Sequence, residues 1–211
     1  MSLVVYAYPP SVYCQIIRMA LHHLGLTAQI NEVDPFSGTG PNPHPFGLVP
    51  TLRDNDFELW ETTAILRYLD AKFAKGTLSP SAPHAVARMV QVQSIVDTQA
   101  YWPLVRMVFA QRVVAPALGD TADEGCIADG LARADPVLSA LNDIAGEGLV
   151  LAPGTVTLAD IHLAPMIGFF NAAPEGAEVL GRYPALGRWF REITKYPSYR
   201  DTCPPLTRVN S

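Results

Sequence analysis

Residues 47 to 65 read GLVPTLRDNDFELWETTAI, and this stretch decides the fold. It contains two short runs of strand character, Val49-Pro50-Thr51-Leu52 and Phe57-Glu58-Leu59-Trp60, separated by Asp54-Asn55-Asp56, which together signal a hairpin. The period then changes. From Glu61 to Phe73, Ala64, Ile65, Tyr68 and Leu69 recur at helical spacing and form one buried face. Pro50 is the unusual member, because a proline gives no N–H to a ladder and is tolerated in a strand mainly where the edge serves another purpose.

Toward the N-terminus, Leu3 to Tyr8 is apolar, β-branched and aromatic, which predicts a buried strand of parallel-sheet character that Pro9-Pro10 stops. Ser11 to Leu24 has helical period, with Ile16, Ile17, Ala20, Leu21 and Leu24 on one face and Gly25 closing the end. Thr27 to Val33 reads as a second strand, and Asp34 to Phe46 as a loop rich in Pro, Gly and Asn. The order is βαβ followed by ββα.

Toward the C-terminus, residues 74 to 83 (AKGTLSPSAP) make the best linker in the chain, and strand character disappears after it. His84 to Ala115 reads as a long helix, kinked at Pro103 and ended by Pro116. Asp120 to Ala145, Leu158 to Phe170 and Ala185 to Tyr196 follow as helices. Thr157-Leu-Ala-Asp160 ahead of an apolar run has the form of a capping box, a structural role. The expected architecture is an α/β domain over residues 1–76 and an all-α domain over residues 84–211.

The composition, 49% hydrophobic and 17% charged, is that of a globular chain, and the formal net charge of −5 argues against a nucleic-acid or anionic-membrane surface. No leader-like or bilayer-length apolar run is legible, which predicts a cytoplasmic protein. The 3 cysteines, Cys14, Cys126 and Cys203, are odd in number and widely spaced, which fits reduced thiols. The histidines lack partners at ligand spacing, so no metal site is expected.

Four segments in this order resemble the cytosolic glutathione transferase superfamily, specifically its serine-type, bacterial-like members: residues 47–52, residues 59–65, Thr157-Leu-Ala-Asp160 and Tyr183-Pro-Ala-Leu186. The resemblance covers nearly the whole chain. It implies a thioredoxin-like N-terminal domain, glutathione as co-substrate, a homodimer, and a part in detoxification. It further implies a cis bond before Pro50, Val49 pairing with the cysteinyl part of glutathione, Thr62 holding the γ-glutamyl carboxylate and Glu61 its ammonium group. Without the resemblance, Val49-Pro50 reads as an ordinary trans turn, and Glu61-Thr62 as the cap of its own helix; the resemblance reverses both readings. The glutathione site is expected at the ends of the first strand and the third helix, and a dimer would let Asp97 of one chain complete the other's site.

Ser11-Val-Tyr-Cys14 stands where thioredoxins and glutaredoxins carry Cys-x-x-Cys, and Ser11 removes dithiol chemistry. A hydroxyl at a helix N-terminus can donate to a bound thiolate and lower its pKa, so Ser11 is the catalytic candidate; it can equally be a plain N-cap. Tyr6, Tyr8 and Cys14 are rival groups. Leu48 stands where many members carry a polar residue for the glycyl carboxylate, with His44 or Arg53 as substitutes. Tyr101, Trp102, Arg106 and Phe109 are candidates for lining a second-substrate cleft, although such a cluster also reads as core. The implied reaction is conjugation of the glutathione thiolate to an apolar electrophile. The alternatives are glutathione-dependent isomerisation or dehalogenation, and a non-catalytic binding module.

Overall fold

The computed structural model describes residues 3–37 and 41–204. Its first part is β1 (Leu3–Ala7), α1 (Val12–His23), β2 (Gln29–Glu32), β3 (Thr51–Asp54), β4 (Phe57–Trp60) and α2 (Thr62–Phe73). The strands form one sheet in the order β2-β1-β3-β4. β1 runs parallel to β2 and antiparallel to β3, and β3 pairs antiparallel with β4. The sheet is therefore mixed, and the apolar run of β1 reflects its central position, buried on both faces, rather than an all-parallel sheet. Leu3, Val5 and Ala7 face the main core, while Val4 and Tyr6 pack with Val33 on the other side.

Pro50 lies just before β3 rather than within it, and the Val49–Pro50 bond is cis. The β3–β4 turn places Asn55 at φ 54°, a left-handed conformation that asparagine tolerates. The loop from Asp34 to Phe46 forms no helix among its described residues; residues 38–40 lie outside them. The helix opened by Thr62 is thus the second and not the third.

The remaining elements are helical. α3 (Pro83–Ile95) continues without a break into a π-helical stretch, Val96–Val114, and a last turn, α4 (Ala115–Ala117). Pro103 sits inside the π-helical stretch, so the expected kink takes the form of wider winding, the kind of disturbance that proline and π-turns share. Pro116 does not end the rod; it lies within the last turn, which closes at Leu118 and Gly119. Then come α5 (Glu124–Glu147), α6 (Leu158–Ala172), α7 (Pro174–Leu180), α8 (Pro184–Ile193) and α9 (Pro197–Arg200). α7 was not legible, being a single short run opened by Pro174. Residues 205–211 of the expected helical domain lie outside the described residues.

One apolar core runs through both parts, from Leu3 to Ile193. α6 is its axis: it is apolar on all sides and buried almost throughout, as a helix in the middle of a bundle must be. Its start carries the capping box. The Asp160 carboxylate accepts from the Thr157 N–H at 2.8 Å, the Thr157 hydroxyl at 2.6 Å and the Trp189 indole N–H at 2.7 Å. α5 packs tightly on the π-helical stretch, since a Cβ at Gly130 would fall 2.7 Å from the Met107 Cβ. No helix among the described residues is long and apolar enough to cross a membrane.

Candidate active site

A cavity of about 790 Å³ lies between the sheet and the π-helical rod. Ser11, Val49, Pro50, Glu61, Thr62, Tyr101, Trp102, Arg106 and Phe109 all line it. One end is polar and built from three chain turns: the start of α1, the turn before β3 and the start of α2. The other end is apolar and built from the rod.

At the first turn, Pro9 and Pro10 bring the chain off β1, and Ser11 caps α1 in extended conformation. Its Oγ accepts from the Cys14 N–H at 3.3 Å. The cap and donor readings are compatible, because a hydroxyl that accepts one bond keeps its own hydrogen free to donate. The free N–H groups and dipole of the helix start add positive potential at the same point.

The rivals separate by position. Tyr6 points to the far face of the sheet, with the Arg53 guanidinium 5.4 Å from its ring centre. Cys14 is fully buried, takes the Tyr8 N–H on its Sγ at 3.3 Å, and has its pKa pushed up by burial. Neither lines the cavity. Tyr8 does, with its ring edge-on to Phe36 at 5.8 Å; burial and the nearby Asp34 raise its pKa, so its phenol stays protonated.

At the second turn, Gly47 adopts φ 66°, which a side chain would resist, and turns the chain toward Leu48 and Val49. His44 is buried against Trp60 and Phe46, and its Nδ1 accepts the Phe46 N–H at 3.2 Å. Burial lowers its pKa, with Glu61 opposing. Neutral His44 therefore carries its proton on Nε2, as a donor on the cavity wall. Arg53 is not on that wall.

At the third turn, Glu61 sits at φ 70°, ψ 118°, a sparsely populated region for a residue with a Cβ, held at a cost of about 1–3 kcal/mol. Its side chain makes no capping bond to α2, and the Thr62 hydroxyl has no partner among the described residues. The self-capping reading therefore fails for Glu61. Thr63 donates to Asp97 Oδ2 at 3.0 Å, while Asp97 Oδ1 lies 2.9 Å from His162 Nε2. Asp97 thus ties α2 to the rod and to α6, and it lines its own chain's cavity.

At the apolar end, Tyr101 packs on Tyr13 with ring centres 5.1 Å apart, and Phe109 on Phe169 at 4.6 Å. Tyr13, Phe36 and Phe169 are cavity residues that the sequence reading missed. Their only signal was being aromatic, and Tyr13 and Phe169 looked like core. No cluster of His, Cys, Asp and Glu fit for a metal ion occurs among the described residues.

The models of the glutathione S-transferase N-terminal and C-terminal domains match residues 10–72 and 124–192. Glutathione S-transferase F12 of Arabidopsis thaliana is 30% identical over 74% of this chain and 73% of its own length. The chain belongs to the glutathione S-transferase family. Glutathione S-transferase F13 of the same plant is 26% identical over 98% of this chain and 97% of its own. The solved structure of glutathione S-transferase III in its apo form superposes with a TM-score of 0.83 at 25% identity, covering 97% of this chain and 98% of that one. The protein is a glutathione transferase with a thioredoxin-like N-terminal fold and a helical C-terminal part, and glutathione is its co-substrate.

Proposed function

We propose that this glutathione transferase joins the glutathione thiolate to an apolar electrophile, acting as a cytoplasmic homodimer in detoxification, with the chain dividing into domains over 1–76 and 84–211. One observation carries the reading: a single cavity joins a polar end, with Ser11, Glu61 and Thr62 on its wall, to an apolar end with room for a second molecule. Thr62 and the start of α2 hold the γ-glutamyl carboxylate, Glu61 takes the ammonium group, and Val49 pairs with the cysteinyl backbone. His44 Nε2 donates to the glycyl carboxylate in place of the polar side chain absent at Leu48. Ser11 donates to the sulfur, which attacks an electrophilic carbon held against Tyr101 and Phe109.

Thr62→Ala and Glu61→Ala each remove a charge-assisted bond, so glutathione affinity falls about ten- to a hundred-fold with thermal stability little changed. Calorimetric titration checks this. Unchanged affinity in both variants would remove the site from this end of the cavity.

A dimer is supported by the apolar residues left on the surface, including Phe46 at 67% exposure, Trp60 at 37% and Val90 at 44%. Light scattering at micromolar concentration gives the dimer mass. A monomer mass contradicts the proposal.

A further inference from the structure

Within the cavity wall, charge is distributed unevenly. Arg106 is the one lysine or arginine among the described lining residues. The rod carries two other arginines, and both are neutralised: Arg88 by Glu147 at 2.6 Å, and Arg112 by Glu124 at 2.7 Å and Glu175 at 2.6 Å. Arg106 has no hydrogen bond or ion pair among the described residues. The nearest acid on its own rod that lines the cavity, Asp97, lies about two turns earlier and is already engaged by His162 and Thr63. One turn before Arg106, Trp102 lines the same cavity and leaves 58% of its surface exposed. A guanidinium with no partner among the described residues, one turn from an uncovered indole at the apolar end of the cavity, matches a ligand with a flat apolar body and an anionic group.

We propose that Arg106 and Trp102 form an anion subsite at the apolar end, and that the preferred second substrates are aromatic electrophiles bearing a carboxylate. This rests on the conjugation reading above. For a chlorodinitrobenzoate, the glutathione sulfur forms a bond to the chlorine-bearing carbon. The carbon–chlorine bond breaks, chloride leaves with the electron pair, and the thiol proton goes to solvent. The benzoate carboxylate stays on the Arg106 guanidinium throughout.

The test compares chlorodinitrobenzoate with the uncharged chlorodinitrobenzamide in kcat/KM, and the unreactive dinitrobenzoate with dinitrobenzamide in Kd by tryptophan fluorescence. Wild type is expected to prefer the carboxylate about tenfold in both measurements. Arg106→Gln brings the preference to about one, and Arg106→Lys keeps part of it. A wild type without the preference, or an Arg106→Gln variant that retains it, overturns the subsite. If neither chloro compound is turned over while dinitrobenzoate still binds preferentially, the subsite stands and the conjugation reading is the part overturned.

Discussion

Replacing Ser11 with alanine moves the rising limb of the pH profile for conjugation upward by about one to two pH units. A charge-assisted bond is worth about 1.5–3 kcal/mol, and one pH unit corresponds to about 1.4. At a pH below the thiol's pKa, the rate falls about ten- to a hundred-fold from the lost thiolate fraction alone, with a much smaller change in glutathione affinity. Cys14→Ala leaves the profile in place, because Cys14 is fully buried and does not line the cavity. The control that matters is Tyr8→Phe, since the Tyr8 phenol is on the same wall and protonated. If Tyr8→Phe shifts the profile and Ser11→Ala does not, the thiolate donor is Tyr8.

The second large effect is on stability. Asp160 is 1% exposed and its carboxylate accepts three bonds, two from Thr157 and one from Trp189. Asp160→Ala leaves those buried donors without an acceptor and opens a gap at the start of the central helix. The expected loss is about 3–5 kcal/mol, which for a chain of this size lowers Tm by roughly 10 °C. Urea unfolding and a thermal scan both read it. A loss under about 1 kcal/mol would mean that the box is an ordinary surface cap and not the anchor of α6.

The parts of the fold legible in the sequence were those written in local chemistry. Pro9-Pro10 before Ser11 marks a helix start, Asn55 marks a turn, and Thr157 with Asp160 marks a cap; each works through atoms a few residues apart. The hairpin and the βαβ unit were legible, but the antiparallel pairing of β1 with β3 was not, because an apolar β1 reads alike whether its second neighbour runs parallel or antiparallel. Choosing between His44 and Arg53 needed the tertiary fold as well. Arg53 pairs opposite Val4 on the face that carries Tyr6, whereas His44 is turned onto the cavity wall by its bond from Phe46. The cavity residues Phe36 and Phe169 come from a loop and from the central helix, more than 100 residues apart in the chain, and no periodicity connects them. That Arg106 has no ion pair among the described residues is likewise a property of the packed surface, since the sequence places Arg88 and Arg112 on the same helical run with nothing to tell the three apart.

In the proposed complex glutathione occupies the polar end of this cavity with its sulfur on Ser11, and a crystal structure of the protein with glutathione bound is the direct test. The sulfur is expected within about 3.5 Å of Ser11 Oγ, with the γ-glutamyl carboxylate on Thr62 at the start of α2 and the space beside Trp102 and Arg106 left open for the second substrate. A tripeptide bound with its sulfur against the Tyr8 phenol and away from Ser11, or bound outside the cavity, would contradict it.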